Sequence, residues 1–116
     1  MKDQMADKAR LLHILDAISH IENFSSGRSK TDLYNDLMFR FSIERQLEII
    51  GEAAKNLSIE FKIKFSSIPW TKIISFRNFL VHEYFGIDLE LIWTIVVQNI
   101  PVLKSDIEQI TKDFPL

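Results

Sequence analysis

Apolar residues Leu11, Ile14, Ile18 and Ile21 recur three and four apart, the spacing that lines up one stripe of a first helix ending near Phe24. The run Ser25-Ser26-Gly27-Arg28-Ser29 is turn chemistry and separates that helix from the next periodic segment. There Ile43, Leu47, Ile50, Ala54, Leu57 and Phe61 again alternate four and three apart, which predicts a second, longer helix packed in a bundle. Gly51 lies inside this seam. An interior glycine costs about 1 kcal/mol relative to alanine, so it marks a close approach by another helix rather than an end.

Ser67 and Pro69 announce a third helix from about Trp70, because proline is tolerated in a first turn, where its missing N–H would be unpaired anyway. Gly86 suits the left-handed closure of a helix, which places the end near Tyr84 or Phe85. Asp88 is the next N-cap, with Ile87 and Ile92 at hydrophobic-staple spacing. Leu89, Trp93, Val96, Ile100, Leu103, Ile107 and Ile110 then carry the alternation toward the C-terminus, with a kink or short break expected at Pro101. No segment alternates as a strand does. The prediction is all-α, a four- to five-helix bundle forming one domain over residues 1–116.

A composition that is 47% hydrophobic and 26% charged is that of a folding chain. The absence of cysteine excludes disulfides and thiolate chemistry, and fits a reducing cytoplasm. The charged N-terminus lacks the apolar core of a signal peptide, and residues 91–97 fall far short of the ~20 needed to span a bilayer, so a cytoplasmic protein without membrane contact is expected. A net charge of −2 argues against general nucleic-acid affinity, so any such contact must be local.

The chemistry concentrates in Arg77-Asn78-Phe79-Leu80-Val81-His82-Glu83-Tyr84, on the second half of the third helix. On an ideal helix Asn78 and His82 share one face, Arg77 and Tyr84 another, and Arg77 and His82 lie about 140° apart. That leaves a wide groove, or a second copy of the helix supplying the missing half across a two-fold axis. Taken singly, each residue has a structural account: a partly buried His82, a salt-bridged Arg77, an Asn78 bonded to a neighbouring helix, a core Tyr84. Together, an arginine and a histidine without a carboxylate cluster suit metal-free RNA cleavage by the ribose 2′-OH. Histidine moves the proton, and arginine forks onto the phosphate oxygens. Residues 61–77 also carry Lys62, Lys64, Lys72 and Arg77 with no acidic residue, interleaved with Phe65, Trp70 and Phe76. Phosphates and stacked bases favour such a mixture, although helical aromatics ordinarily build cores.

The segment from Arg77 to Tyr84 resembles the Arg-x4-His-x-Tyr signature of the HepT-like branch of the HEPN superfamily. Ile49-Ile50-Gly51-Glu52-Ala53-Ala54-Lys55-Asn56-Leu57, Ile68-Pro69-Trp70 and Tyr84-Phe85-Gly86-Ile87-Asp88 match further family patterns, so the resemblance covers roughly residues 36–101 in order. It implies a homodimer with a shared cleft, acting as a metal-independent endoribonuclease toxin on an RNA substrate and needing no cofactor. It further implies a nucleotidyltransferase antitoxin that transfers AMP to Tyr84. Carried over, Arg77 and His82 are the catalytic pair, Asn78 supports them and Tyr84 is the modification site. The alternative within the same resemblance is a non-catalytic partner or substrate-binding subunit of a nucleotidyltransferase.

Overall fold

The computed structural model describes residues 2–82 and 87–113. Helix α1 (Lys2–Ser25) ends where the periodicity stops, and Gly27, at φ 72°, makes the left-handed turn into α2 (Lys30–Asn35). The sequence pattern did not announce α2. Only Leu33 of its six residues is buried, too few for a period to show. The turn is fixed locally: the backbone N–H of Ser29 donates to Asp32 Oδ2 at 2.8 Å.

Asp36 ends α2 and caps α3 (Leu37–Lys55), its Oδ1 accepting from the Phe39 N–H at 3.1 Å. Helix α3 packs against α1, α2 and α5, so it forms the centre of the bundle. Its buried stripe of Ile43, Leu47, Ile50 and Ala54 is the seam read from the sequence, and Phe39 extends it one turn toward the N-terminus. The expected unbroken helix through Phe61 is corrected, however, because α3 stops at Lys55 and a separate helix α4 (Ile59–Lys64) follows. Side chains compete with the helical backbone at the break: Asn56 Nδ2 donates to the Glu52 carbonyl at 2.9 Å, and Ser58 Oγ caps α4 through the Phe61 N–H. Leu57 and Phe61 are buried nonetheless.

The corner is tied to α1 by Asp7, a buried carboxylate that accepts from the Ser58 N–H at 2.8 Å and the Ser58 hydroxyl at 2.7 Å. These bonds replace the water the carboxylate gives up.

Helix α5 (Trp70–His82) begins as expected, with the Pro69 carbonyl accepting its first turn's bond from the Ile73 N–H. The end expected near Tyr84 or Phe85 lies outside the described residues. Asp88 caps α6 (Leu89–Thr94) by accepting from the Leu91 N–H at 3.2 Å. A π-turn (Ile95–Asn99) then leads into α7 (Ile100–Asp113). The irregularity expected at Pro101 thus appears just before it. The Ile100 N–H bonds back to the Ile95 carbonyl, five residues away, in the turn where Val97 has no proline N–H to accept. Ile92, fully buried, takes the inward position assigned to Trp93, which is only half-buried beside it. Among the described residues there is no strand, and no helix is long and apolar enough to cross a membrane. The fold is an all-α bundle.

Candidate functional site

Helix α5 meets α3 at one very close point. A Cβ built on Gly51 would lie 2.1 Å from Arg77 Cβ and 2.7 Å from Arg77 Cγ, so the stem of Arg77 occupies the space that only a glycine leaves. The close approach read from Gly51 is therefore made by the candidate catalytic arginine itself.

From there the guanidinium reaches over α3. Arg77 Nη2 pairs with Glu52 Oε2 at 2.7 Å, and Arg77 Nη1 donates to Asn78 Oδ1 at 3.0 Å. Its Nε–H is shut off from solvent and has no acceptor among the described residues. With its side chain only 20% exposed, Arg77 is held by packing while its charged end borders a polar pocket of about 350 Å³. Arg10, His13, Arg45 and Glu48 also line that pocket. The arrangement offers fixed guanidinium donors to an anion, in a partly enclosed place where such bonds exceed their strength in open water.

Of the residues singled out from the sequence, Arg77 and Asn78 are brought into contact. His82 is the last described residue of α5, but its side chain, like the whole of Tyr84, lies outside what the structure describes. Glu52 was part of a quoted pattern without a role, and no spacing rule links positions 52 and 77. Arg10 and His13, on α1, carried no signal beyond their charge and ring.

The basic, aromatic stretch before Arg77 resolves into core and surface. Phe61 and Trp70 are buried, and the Trp70 indole N–H donates to the Phe65 carbonyl at 3.1 Å, so these rings are not open to stacking with bases. Lys62 and Lys64 sit in the last turn of α4, where positive charge suits the helix dipole. Among the described residues no three His, Cys, Asp or Glu side chains are grouped to hold a metal ion.

The same chain resembles known proteins over almost its whole length. It is 39% identical to "Probable ribonuclease HepT" of Thermococcus cleftensis over 105 residues, covering 90% of this chain and 96% of that one. It is 38% identical to "Putative RNase MJ1380" of Methanocaldococcus jannaschii, covering 87% and 93% respectively. A third relative, "Gamma-glutamylcyclotransferase and putative RNase MJ0434" of the same organism, is 39% identical across 91% of this chain, which spans only 48% of that longer protein. No solved structure matches. The Ribonuclease HepT-like family is matched over residues 14–110, a span that includes Gly51, Glu52 and Arg77, and the chain belongs to that family.

Proposed function

We propose that the protein is a metal-independent endoribonuclease in which Arg77 and His82 cleave RNA, and that it acts as the toxin of a toxin–antitoxin pair. The observation that carries this reading is the seating of Arg77, whose stem is pinned against Gly51 while its guanidinium borders a polar pocket. A phosphate entering that pocket takes the place of Glu52 on the guanidinium. The ribose 2′-OH passes its proton to solvent water as it attacks the adjacent phosphorus, the bond to the 5′ oxygen breaks, and Arg77 stabilises charge on the phosphorane oxygens. His82, the last described residue of α5, donates the proton to the leaving oxygen. Asn78 holds the second Nη of Arg77 in place.

The cleft is completed by a second copy of the chain. Tyr34, Leu37, Met38 and Phe41 are exposed apolar residues on α2 and the start of α3, a surface that a single bundle leaves uncovered. Regulation falls to Tyr84, the acceptor of AMP from a nucleotidyltransferase antitoxin.

The test is cleavage of RNA by purified protein in the presence of a chelator. Wild type should cut, and folded Arg77→Ala and His82→Ala variants should lose about 10²- to 10⁴-fold in rate. Full cleavage by a folded His82→Ala protein, freed of contaminating nucleases, would overturn the assignment and favour a non-catalytic partner of the nucleotidyltransferase.

A further inference from the structure

The polar pocket beside Arg77 holds basic side chains besides Arg77 itself. Its basic side chains come from three helices: Arg10 and His13 from α1, Arg45 from α3 and Arg77 from α5. Two carboxylates share the space, and each is already engaged. Glu52 holds Arg77 at 2.7 Å, and Glu48 holds Arg45 Nη1 at 3.0 Å. Arg10 and His13 have neither an ion pair nor a hydrogen bond among the described side chains, and they stand three residues apart on one face of α1.

The Nε–H of Arg10, like that of Arg77, is shut off from solvent without an acceptor. An unpaired buried donor is costly, so each guanidinium stands in an arrangement that an incoming anion with two acceptor oxygens would improve by re-aiming it. At about 350 Å³ the cavity is of ligand size, at the small end of that range. The other sizeable groove, lined by Leu47, Ile50, Ile73, Phe76, Ile100 and Leu103, is apolar and unsuited to an anion.

We propose that Arg10 and His13 form a second phosphate subsite, which takes the backbone phosphate next to the one held by Arg77 and so sets the path of a single RNA strand across α3. The subsite rests on the ribonuclease reading. In it the Arg10 guanidinium forks onto the two non-bridging oxygens and His13 donates a single hydrogen bond beside it. The strand lies in the gap between α1 and α5, bridged from beneath by α3.

The test uses a fluorescent 2′-O-methyl RNA oligonucleotide, which keeps every phosphate but lacks the attacking hydroxyl, so binding is read separately from cleavage. Anisotropy titrations between 50 and 200 mM salt compare the full-length wild type with Arg10→Ala, Arg10→Lys and His13→Ala, each checked for thermal stability. Arg10→Ala should bind about tenfold more weakly, the loss of one charge-assisted fork. Its salt slope should be shallower by about 0.7, the value of one phosphate contact on a single strand. Arg10→Lys should recover the slope and part of the affinity, and His13→Ala should lose a smaller factor. Wild-type affinity and slope in a folded Arg10→Ala protein, or no binding of the oligonucleotide by wild type, would overturn the subsite. Arg10-dependent binding by a protein that cuts no RNA would leave the subsite standing and fault the ribonuclease reading instead.

Discussion

Gly51 and Arg77 are packed so tightly that the side-chain stem of one fills the missing side chain of the other, with 2.1 Å between Arg77 Cβ and the place a Cβ on residue 51 would take. The contact involves the root of the arginine, which cannot swing away as its tip can. Overpacking at the upper end of its usual range of about 1–3 kcal/mol should outweigh the ~1 kcal/mol that alanine gains in helix propensity, so Gly51→Ala should destabilise the protein by about 1–2 kcal/mol net. Urea unfolding measures the sum. A variant as stable as wild type, or more so, would show that α5 is free to retreat from α3.

Glu52 neutralises Arg77 in the free protein and competes with any incoming phosphate. Glu52→Gln should tighten binding of an uncleavable RNA strand by about twofold to tenfold at low salt, with the gain shrinking as salt is raised. Because the Glu52 side chain is half exposed, stability should change by less than about 1 kcal/mol. Weaker binding would mean that Glu52 mainly orients the guanidinium.

Two surface carboxylates set the acid response. The Phe39 N–H, then Arg28, hold the Asp36 carboxyl below its ordinary value, and a hydrogen bond and charge from Lys30 do the same for Glu90. A folded-state value below the unfolded one gives stability that is present above the unfolded value, about pH 4, and drains as pH falls through the folded one. Wild type should lose urea resistance below about pH 4 more steeply than an Asp36→Asn, Glu90→Gln double variant, in which Asn keeps the helix cap. Superimposable pH profiles would remove both groups from the account.

Incubation with the cognate nucleotidyltransferase and ATP should add one or more AMP units to wild type and none to Tyr84→Phe, read by intact mass, and the modified protein should stop cleaving RNA. On a continued helix Tyr84 would lie about 20° from Arg77 and two turns beyond it, so the new phosphate carries negative charge toward the arginine's face. Modification at another residue, or a modified Tyr84 that leaves cleavage intact, would refute this switch.

Sedimentation at micromolar concentration should give a mass of two chains. A lone 13.6 kDa species would rule out the shared cleft.

The buried stripes of α1, α3 and α7 were legible because each repeats one period over several turns, and Asp88 was legible as a cap because its residue type and the apolar pair beside it agree. The break at 56–58 was not. Leu57 and Phe61 keep helical spacing on either side of it, and the interruption comes from polar side chains bonding to local backbone. At the site, the motif gave Arg77, and Gly51 foretold a close neighbour. That the two are the same contact depends on how α3 and α5 lie against each other, and so does the meeting of Glu52 with Arg77. The approach of Arg10 and His13 needs α1 as well, and no single helix's pattern encodes it.

The π-turn at 95–99 gives the last long segment two fronts. Along the sequence, Leu89, Ile92, Val96, Ile100, Leu103, Ile107 and Ile110 keep α-helical phase without a slip. In space, the wider turn takes up about one extra residue, so the downstream half lags by roughly 100°. A row of apolar side chains that is straight on paper is thus a quarter-twisted ribbon in the protein: its upper end looks toward α2, where Lys30 and Tyr34 reach Glu90, and its lower end toward α1, where Glu22 reaches Lys104. One uninterrupted code thus serves two neighbours, α2 at its start and α1 further along.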